Sequence, residues 1–175
     1  MKAFILAAGV SRRLYPYTYD TPKCLLKVGE KPIINYQLEA LKSLGIKDII
    51  MIVGYHREVL IEYLAKNFSG FNFSFITNHH YFETNTAYSV YLGAEYLRDD
   101  DYLFMNADVV YPVELLTKIF NSSFKTVFAI DKKVCGREEV KVIDGGQNKI
   151  EAIGKDLIEN QCLGEFIGVA KLSKN

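Results

Sequence analysis

Short, continuously apolar runs that stop at a glycine or an Asn/Asp turn most restrict what this chain can fold into. Ala3-Phe-Ile-Leu-Ala-Ala8 stops at Gly9, Ile49-Ile-Met-Ile-Val53 stops at Gly54, and Tyr102-Leu-Phe-Met105 runs into Asn106-Ala-Asp108. A strand that is apolar on both faces has to be covered on both faces, the condition of a parallel sheet between helices. Helix-length stretches separate these runs. Ile34, Leu38 and Leu41 recur at i, i+4 and i+7 behind Pro32, which suits a first helical position, and Gly45 closes the pattern. Glu58, Glu62 and Lys66 lie four apart, opposite Val59, Leu60, Tyr63 and Leu64. Ala87, Val90, Tyr91, Ala94 and Leu97 mark a third helix, and Pro112 opens a short fourth. Cys24 to Val28 reads as a short strand before Gly29, and Phe71 to Thr77 as an alternating strand.

From Lys125 onward the rhythm changes from strand–helix alternation to strands. Thr126 to Ile130 is one, and Phe166 to Ala170 is the last. Between them, Val140 to Ile143 and Lys149 to Ile153 flank Asp144-Gly-Gly-Gln-Asn148, a good hairpin connection. The expected fold is α/β: a three-layer, Rossmann-like, mostly parallel sheet with helices on both faces, plus a small mixed β portion. Residues 1–175 are expected to form one domain.

The bulk numbers exclude several classes. Hydrophobic residues at 49% and charged residues at 24% permit a real core. Lys+Arg and Asp+Glu both number 21, a net charge of 0, whereas a general nucleic-acid binder carries a basic excess. Cys24, Cys135 and Cys162 form no CxxC or Cys/His cluster, so neither a disulfide framework nor a zinc site is indicated, and a reducing, cytoplasmic setting is expected. Lys2 and the apolar stretch after it imitate a signal peptide, but the stretch is short and Arg12-Arg13 follow at once. No segment approaches the roughly 20 apolar residues of a membrane span.

The loop from Gly9 to Lys23 is long, and loops of this length in compact domains are usually functional. A buried strand that empties into a glycine turn with several cations suits a triphosphate. Backbone N–H groups on small residues approach phosphate closely, and Arg and Lys offset its charge. Gly9, Arg13, Pro16, Thr18, Pro22 and Lys23 at their spacings resemble the signature of the nucleotidyltransferases that join a nucleoside monophosphate to a sugar or alcohol phosphate. The fold implied is the nucleotide-diphospho-sugar transferase type. By that resemblance the segment wraps the nucleotide phosphates: Ala7, Ala8, Gly9 and Ser11 bind the nucleotide, Gly9 and Ser11 with backbone donors, while Arg13 and Lys23 contact phosphate oxygens and carry the catalytic assignment. The family usually has glycine where Ser11 stands, and Ser or Thr where Arg12 stands. The role of Arg12 stays open, with a solvated surface arginine as the plainer reading.

The resemblance extends along the chain. Asp108 ends a strand, where ligand sites of parallel α/β sheets collect, and the following Val-Val-Tyr-Pro fits the family pattern. In the family the Asp at this place binds the catalytic Mg²⁺; a helix cap or turn residue is the alternative. Mg²⁺ is ordinarily held by one or two carboxylates plus phosphate oxygens. Thr84-Asn85-Thr86-Ala87-Tyr88-Ser89 resembles the phosphocholine cytidylyltransferase-like branch, which also includes enzymes acting on inositol phosphate and aminoethylphosphonate. Asn85 and Ser89 are the candidates there for base or ribose contacts; the alternative is a helix start capped by Thr84 or Asn85. Ile153-Gly-Lys155 and Gly164-Glu-Phe-Ile-Gly-Val169 resemble acceptor-side motifs, with Lys155 toward the acceptor phosphate and Glu165 toward its other end. Strand-edge charges are the alternative for both. Tyr81 or Phe82 could contribute to an aromatic cage for a quaternary ammonium. His56, His79 and His80 read as loop or surface residues, since adjacent histidines do not readily share one metal.

The implied partners are a nucleoside triphosphate, CTP in this branch, and a small phosphorylated acceptor such as phosphocholine, with Mg²⁺ as cofactor and neither nucleic acid nor membrane. A sugar-1-phosphate nucleotidylyltransferase using UTP, dTTP or GTP is the second enzyme reading. A nucleotide-binding module that no longer catalyses is the third. Family members generally continue past this length and carry a second metal-binding Asp in the later part, so a C-terminally shortened domain is expected. Oligomeric state stays open.

Overall fold

The computed structural model describes residues 1–98 and 100–174. The chain opens with β1 (Lys2–Ala7), then a loop with 3-10 turns at Arg12–Leu14 and Lys23–Leu25. A small hairpin of β2 (Lys27–Val28) and β3 (Lys31–Pro32) leads into α1 (Ile33–Ser43). There follow β4 (Asp48–Val53), α2 (Arg57–Asn67), β5 (Asn72–Thr77), α3 (Thr86–Leu97), β6 (Tyr102–Asn106) and α4 (Val113–Phe120). The remainder is β7 (Val127–Asp131), β8 (Lys141–Asp144), β9 (Ile150–Gly154) and β10 (Gly164–Leu172).

One eight-stranded sheet runs β5-β4-β1-β6-β10-β8-β9, with β7 also paired to β10. β1 pairs parallel with β4 and β6, and β4 with β5, as expected of strands joined by helices. β10 lies antiparallel to β6, β7 and β8. The later strands therefore extend the first sheet instead of standing beside it.

The alternation of β1 explains its unbroken hydrophobicity. Ala3 and Ile5 face a core shared with Met51, Leu103, Leu38 of α1, Leu60 of α2 and Leu116 of α4. Phe4 faces the opposite layer with Ile52, Phe104 and Leu97 of α3. Each Leu, Ile, Met or Phe side chain among them contributes roughly 1.5–3 kcal/mol on full burial. On the second face α3 comes close because residue 93 is glycine: a Cβ there would lie 2.3 Å from the Phe4 ring.

Two local expectations are corrected. Cys24 to Val28 is not one strand; the Leu25 and Leu26 amides bond back to the Pro22 and Lys23 carbonyls, forming a turn before the two-residue β2. Pro32 belongs to β3 and precedes the helix, with ψ of 151° as its N-cap.

Candidate active site

The carboxyl ends of β1, β4 and β6 converge on one mouth of the sheet. The loop after β1 is folded onto itself there. Ser11 takes a left-handed φ of 55°, and the fully buried Thr18 donates its hydroxyl to the Ser11 carbonyl at 3.1 Å. The Ala8 carbonyl accepts from the Tyr55 amide, tying the ends of β1 and β4. A cleft of about 780 Å³ opens above this turn.

Nine of the eleven residues given a nucleotide, catalytic, metal or acceptor role in the sequence line that cleft: Ala7, Ala8, Gly9, Ser11, Lys23, Asn85, Ser89, Asp108 and Lys155. Lys23 comes from the 3-10 turn before the small hairpin. Its Nζ meets Asp108 Oδ2 at 2.6 Å, with both side chains about a third or more exposed. Beneath it Cys24 is sealed in, and burial pushes its thiol up to about 12, so it stays protonated.

Asp108 sits on a turn held from below. Gln37 of α1, 1% exposed, donates its Nε2 to the carbonyls of Asn106 at 2.8 Å and Val109 at 2.6 Å. The Tyr111 hydroxyl donates to the Gly168 carbonyl at 2.8 Å, and burial raises its pKa above the ordinary value. Gly168 itself has φ of 81°, and a Cβ there would lie 2.4 Å from the Asn106 amide nitrogen. Only glycine lets β10 pass the Asn106 side chain at the cleft floor.

Opposite, Asn78 follows β5 and is 1% exposed; its Nδ2 donates to Thr84 Oγ1 at 3.0 Å and Ser89 Oγ at 3.2 Å. Asn85 caps α3, its Oδ1 accepting from the Ala87 and Tyr88 amides at 3.0 and 3.3 Å. The capping reading of Asn85 thus holds, and the residue lines the cleft as well. Gln37, Asn78, Asn106 and Tyr111 were not singled out in the sequence. For Asn78 and Asn106 a signal exists: each is a polar residue at the carboxyl end of a strand of the parallel sheet.

Arg13 and Glu165 do not line this cleft. Arg13 is exposed on its 3-10 turn. Glu165 pairs with Lys133 at 2.8 Å, and Lys133 also approaches Glu139 at 3.4 Å. Arg12 is not simply solvated: its guanidinium lies 3.9 Å from the centroid of the Phe82 ring, joining the loop after β1 to the loop before α3. Phe82 is otherwise exposed, and Tyr81 lines the cleft beside it. His56 meets the Tyr19 carbonyl at 2.8 Å, and His79 and His80 are exposed. Among the described residues no three His, Cys, Asp or Glu side chains form a metal-holding group. Asp108 is the one carboxylate among the described cleft residues. That donor set fits a hard cation held mainly by a substrate's phosphate oxygens, and does not fit one held by protein alone. No helix of the described residues is long and apolar enough to cross a membrane.

Comparison with known proteins shows the family of the chain. Residues 2–136 match the family described as nucleotidyl transferase. The CTP:phosphoglutamine cytidylyltransferase of Campylobacter jejuni is 35% identical over 95% of this chain and 72% of its own length. The choline-phosphate cytidylyltransferase of Streptococcus pneumoniae is 46% identical over 61% of this chain and 47% of its own. A solved structure of the CTP:phosphocholine cytidylyltransferase from Streptococcus pneumoniae superposes with a TM-score of 0.73 at 32% identity, covering 98% of this chain and 70% of that one. The chain thus spans between about half and about three quarters of the length of these relatives. By the match over residues 2–136 and these relatives, the chain belongs to the nucleotidyl transferase family.

Proposed function

We propose that the protein transfers a cytidylyl group from CTP to a small phosphorylated acceptor and releases pyrophosphate. The observation that carries this reading is one cleft lined by the Gly9–Ser11 turn, Lys23, Asp108, Asn85, Ser89 and Lys155. The names of the relatives support CTP as the nucleotide and phosphocholine or phosphoglutamine as the class of acceptor.

The chemistry needs no nucleophilic side chain. A phosphate monoester has its second pKa near 6, so at neutral pH it is mostly dianionic. Its oxygen forms a bond to the α-phosphorus of CTP while the bond from that phosphorus to the bridging oxygen breaks, and the electron pair leaves with pyrophosphate. No proton has to be removed first. Two polyanions must be brought together, so positioning and electrostatics carry the catalysis. In this reading the backbone at Gly9 and Ser11 cradles phosphate and Lys23 offsets its charge. Arg13 reaches the phosphates only if its exposed side chain swings inward. Asn85 and Ser89 meet base or ribose, and Lys155 meets the acceptor phosphate. Mg²⁺, at Asp108, would supply further charge neutralisation on the triphosphate. Glu165 would be freed for a cationic acceptor head only by breaking its pair with Lys133.

A second reading, nucleotide binding without turnover, is favoured by Asp108 being the one carboxylate among the described cleft residues. Pyrophosphate release, measured for four nucleoside triphosphates with phosphocholine, phosphoglutamine, inositol phosphate and glucose-1-phosphate, separates the possibilities. CTP-dependent release with an alcohol or amide phosphate sustains the proposal. Release from UTP, dTTP or GTP with glucose-1-phosphate replaces it by sugar-nucleotide synthesis. CTP binding without release on any acceptor leaves the binding module.

A further inference from the structure

The acceptor-side wall of the cleft holds a buried charge that the proposed chemistry does not use. Lys141 opens β8 and is 1% exposed. Its neighbours across the sheet are Gly154 on β9 and Glu165 on β10. A buried lysine ordinarily pairs with a carboxylate. Here the Glu165 carboxylate goes to Lys133, and none of the ion pairs among the described residues includes Lys141. The Lys141 ammonium instead donates to three backbone carbonyls: Lys155 at 2.6 Å, Arg137 at 3.4 Å and Glu139 at 3.5 Å. Backbone dipoles meet the ammonium, and no ion pair among the described residues includes it. The bond to Lys155 is the short one; the other two are long for this type.

Those carbonyls belong to the two segments that bound one end of the cleft. Val140, Gly154 and Lys155 all line it. The Lys155 side chain is 58% exposed and its Nζ lies 3.9 Å from Glu138 Oε2, a long and exposed ion pair, so the backbone fixes where the side chain starts and little packing holds it after that. Burying an ammonium is costly, and an apolar residue of similar volume fills space as well or better. Packing therefore does not account for Lys141.

We propose that Lys141 is a positioning residue for the acceptor half of the site. Its ammonium pins the Lys155 carbonyl and so fixes the place on the cleft wall from which the Lys155 side chain starts. It also places a positive charge that belongs to no ion pair among the described residues behind the point that receives the acceptor's dianionic phosphate. A buried charge is screened less by salt than a surface one. The inference rests on the transfer reading above, in which Lys155 meets that phosphate.

The test compares the wild-type protein with Lys141→Met, which removes the charge and the donors at similar volume, and Lys141→Arg, which keeps both. In Lys141→Met, amide hydrogen exchange should accelerate over residues 153–157 and leave residues 2–7 and 48–53 protected. The KM for the acceptor should rise about tenfold or more, the scale of a lost hydrogen bond to a charged group, with the KM for CTP unchanged. Lys141→Arg should restore a large part of both. Unchanged exchange over 153–157 overturns the proposal, as does acceleration spread evenly over the sheet, or an equal rise in both KM values. Should Lys141→Met not fold, wild-type protein decides: a slowly exchanging Lys141 ammonium resonance, scalar-coupled to the Lys155 carbonyl carbon, is expected, and its absence overturns the contact. Wild-type protein that releases no pyrophosphate removes the transfer reading, while the exchange and resonance data still decide whether Lys141 pins Lys155.

Discussion

Lys23 Nζ lies 2.6 Å from Asp108 Oδ2 although 85 residues separate the two in the chain. The pair bridges the loop after β1 and the turn after β6 across the cleft mouth. It is partly exposed, and ion pairs of that kind contribute about 0–1 kcal/mol to stability. Lys23→Ala and Asp108→Asn should therefore shift the melting temperature little. Each should lower pyrophosphate release by about a hundredfold or more, the scale of losing one preorganised electrostatic contact. A Lys23→Ala enzyme with wild-type turnover would sink its assignment.

Gln37 holds the Asp108 turn through two hydrogen bonds made by one amide nitrogen. Its Oε1 is buried without a partner among the described residues. Gln37→Leu removes that orphan acceptor but takes a donor from two part-buried carbonyls, at about 1–3 kcal/mol each when fully unsatisfied, and the Asn106 carbonyl keeps a long contact of 3.5 Å from the Tyr111 hydroxyl. Thermal melting should drop by several degrees, at about 2–4 °C per kcal/mol for a chain of this size. Turnover should fall too, because the Asp108 turn loosens. A variant that melts lower with full activity would separate Gln37 from the site.

Asn85 has two possible tasks, and one substitution divides them. Asn85→Ala loses the cap of α3 and should cost about 1 kcal/mol. Asn85→Asp keeps an oxygen for the Ala87 and Tyr88 amides, so melting should hold. If the amide group also reads the base or ribose, the KM for CTP rises in Asn85→Asp despite intact stability. An unchanged KM would leave Asn85 a helix cap only.

Cys24 should be silent to thiol reagents in the folded protein. Burial pushes its thiol from the ordinary 9.0 to about 12, and the reactive species is the thiolate. At pH 8, titration with a disulfide reagent should label the partly exposed Cys162 first, and Cys24 only after denaturation. The raised pKa also sets a direction for stability. The folded state keeps the proton that the unfolded chain releases above pH 9. Stability from this group is therefore complete below pH 9 and is lost as pH rises from 9 toward 12. Cys24→Ala should flatten that part of the curve; an unaltered slope in denaturant melts across pH 9–11 would contradict it.

The strands β1, β4 and β6 were legible because their signal is local. A run such as Ile49 to Val53 has to be buried on both faces whatever surrounds it. The glycine turn with Lys23 and the strand-end Asp108 were legible for a related reason: residue types at the carboxyl ends of such strands sit where ligands bind. The polar scaffold underneath was not. Gln37 reaches the Asn106 carbonyl from 69 residues away, and only the packing of α1 against the end of β6 makes that bond possible. Cys24 to Val28 looked like a strand by composition, yet two amides bonding back to Pro22 and Lys23 made it a turn.

Local hydrophobic period and turn chemistry were thus enough for the α/β class and the order of the main elements, while Lys23, Asp108 and Lys155 stood out through the resemblance of their motifs to a known family. Tertiary structure alone decided which charges face one another. Glu165 and Lys141 stand side by side in the sheet, yet Glu165 pairs with Lys133 while Lys141 turns to the Lys155 carbonyl. The reason is that a side chain's partner is set by the distance and direction that packing imposes in three dimensions, and the spacing of residues along the chain carries neither.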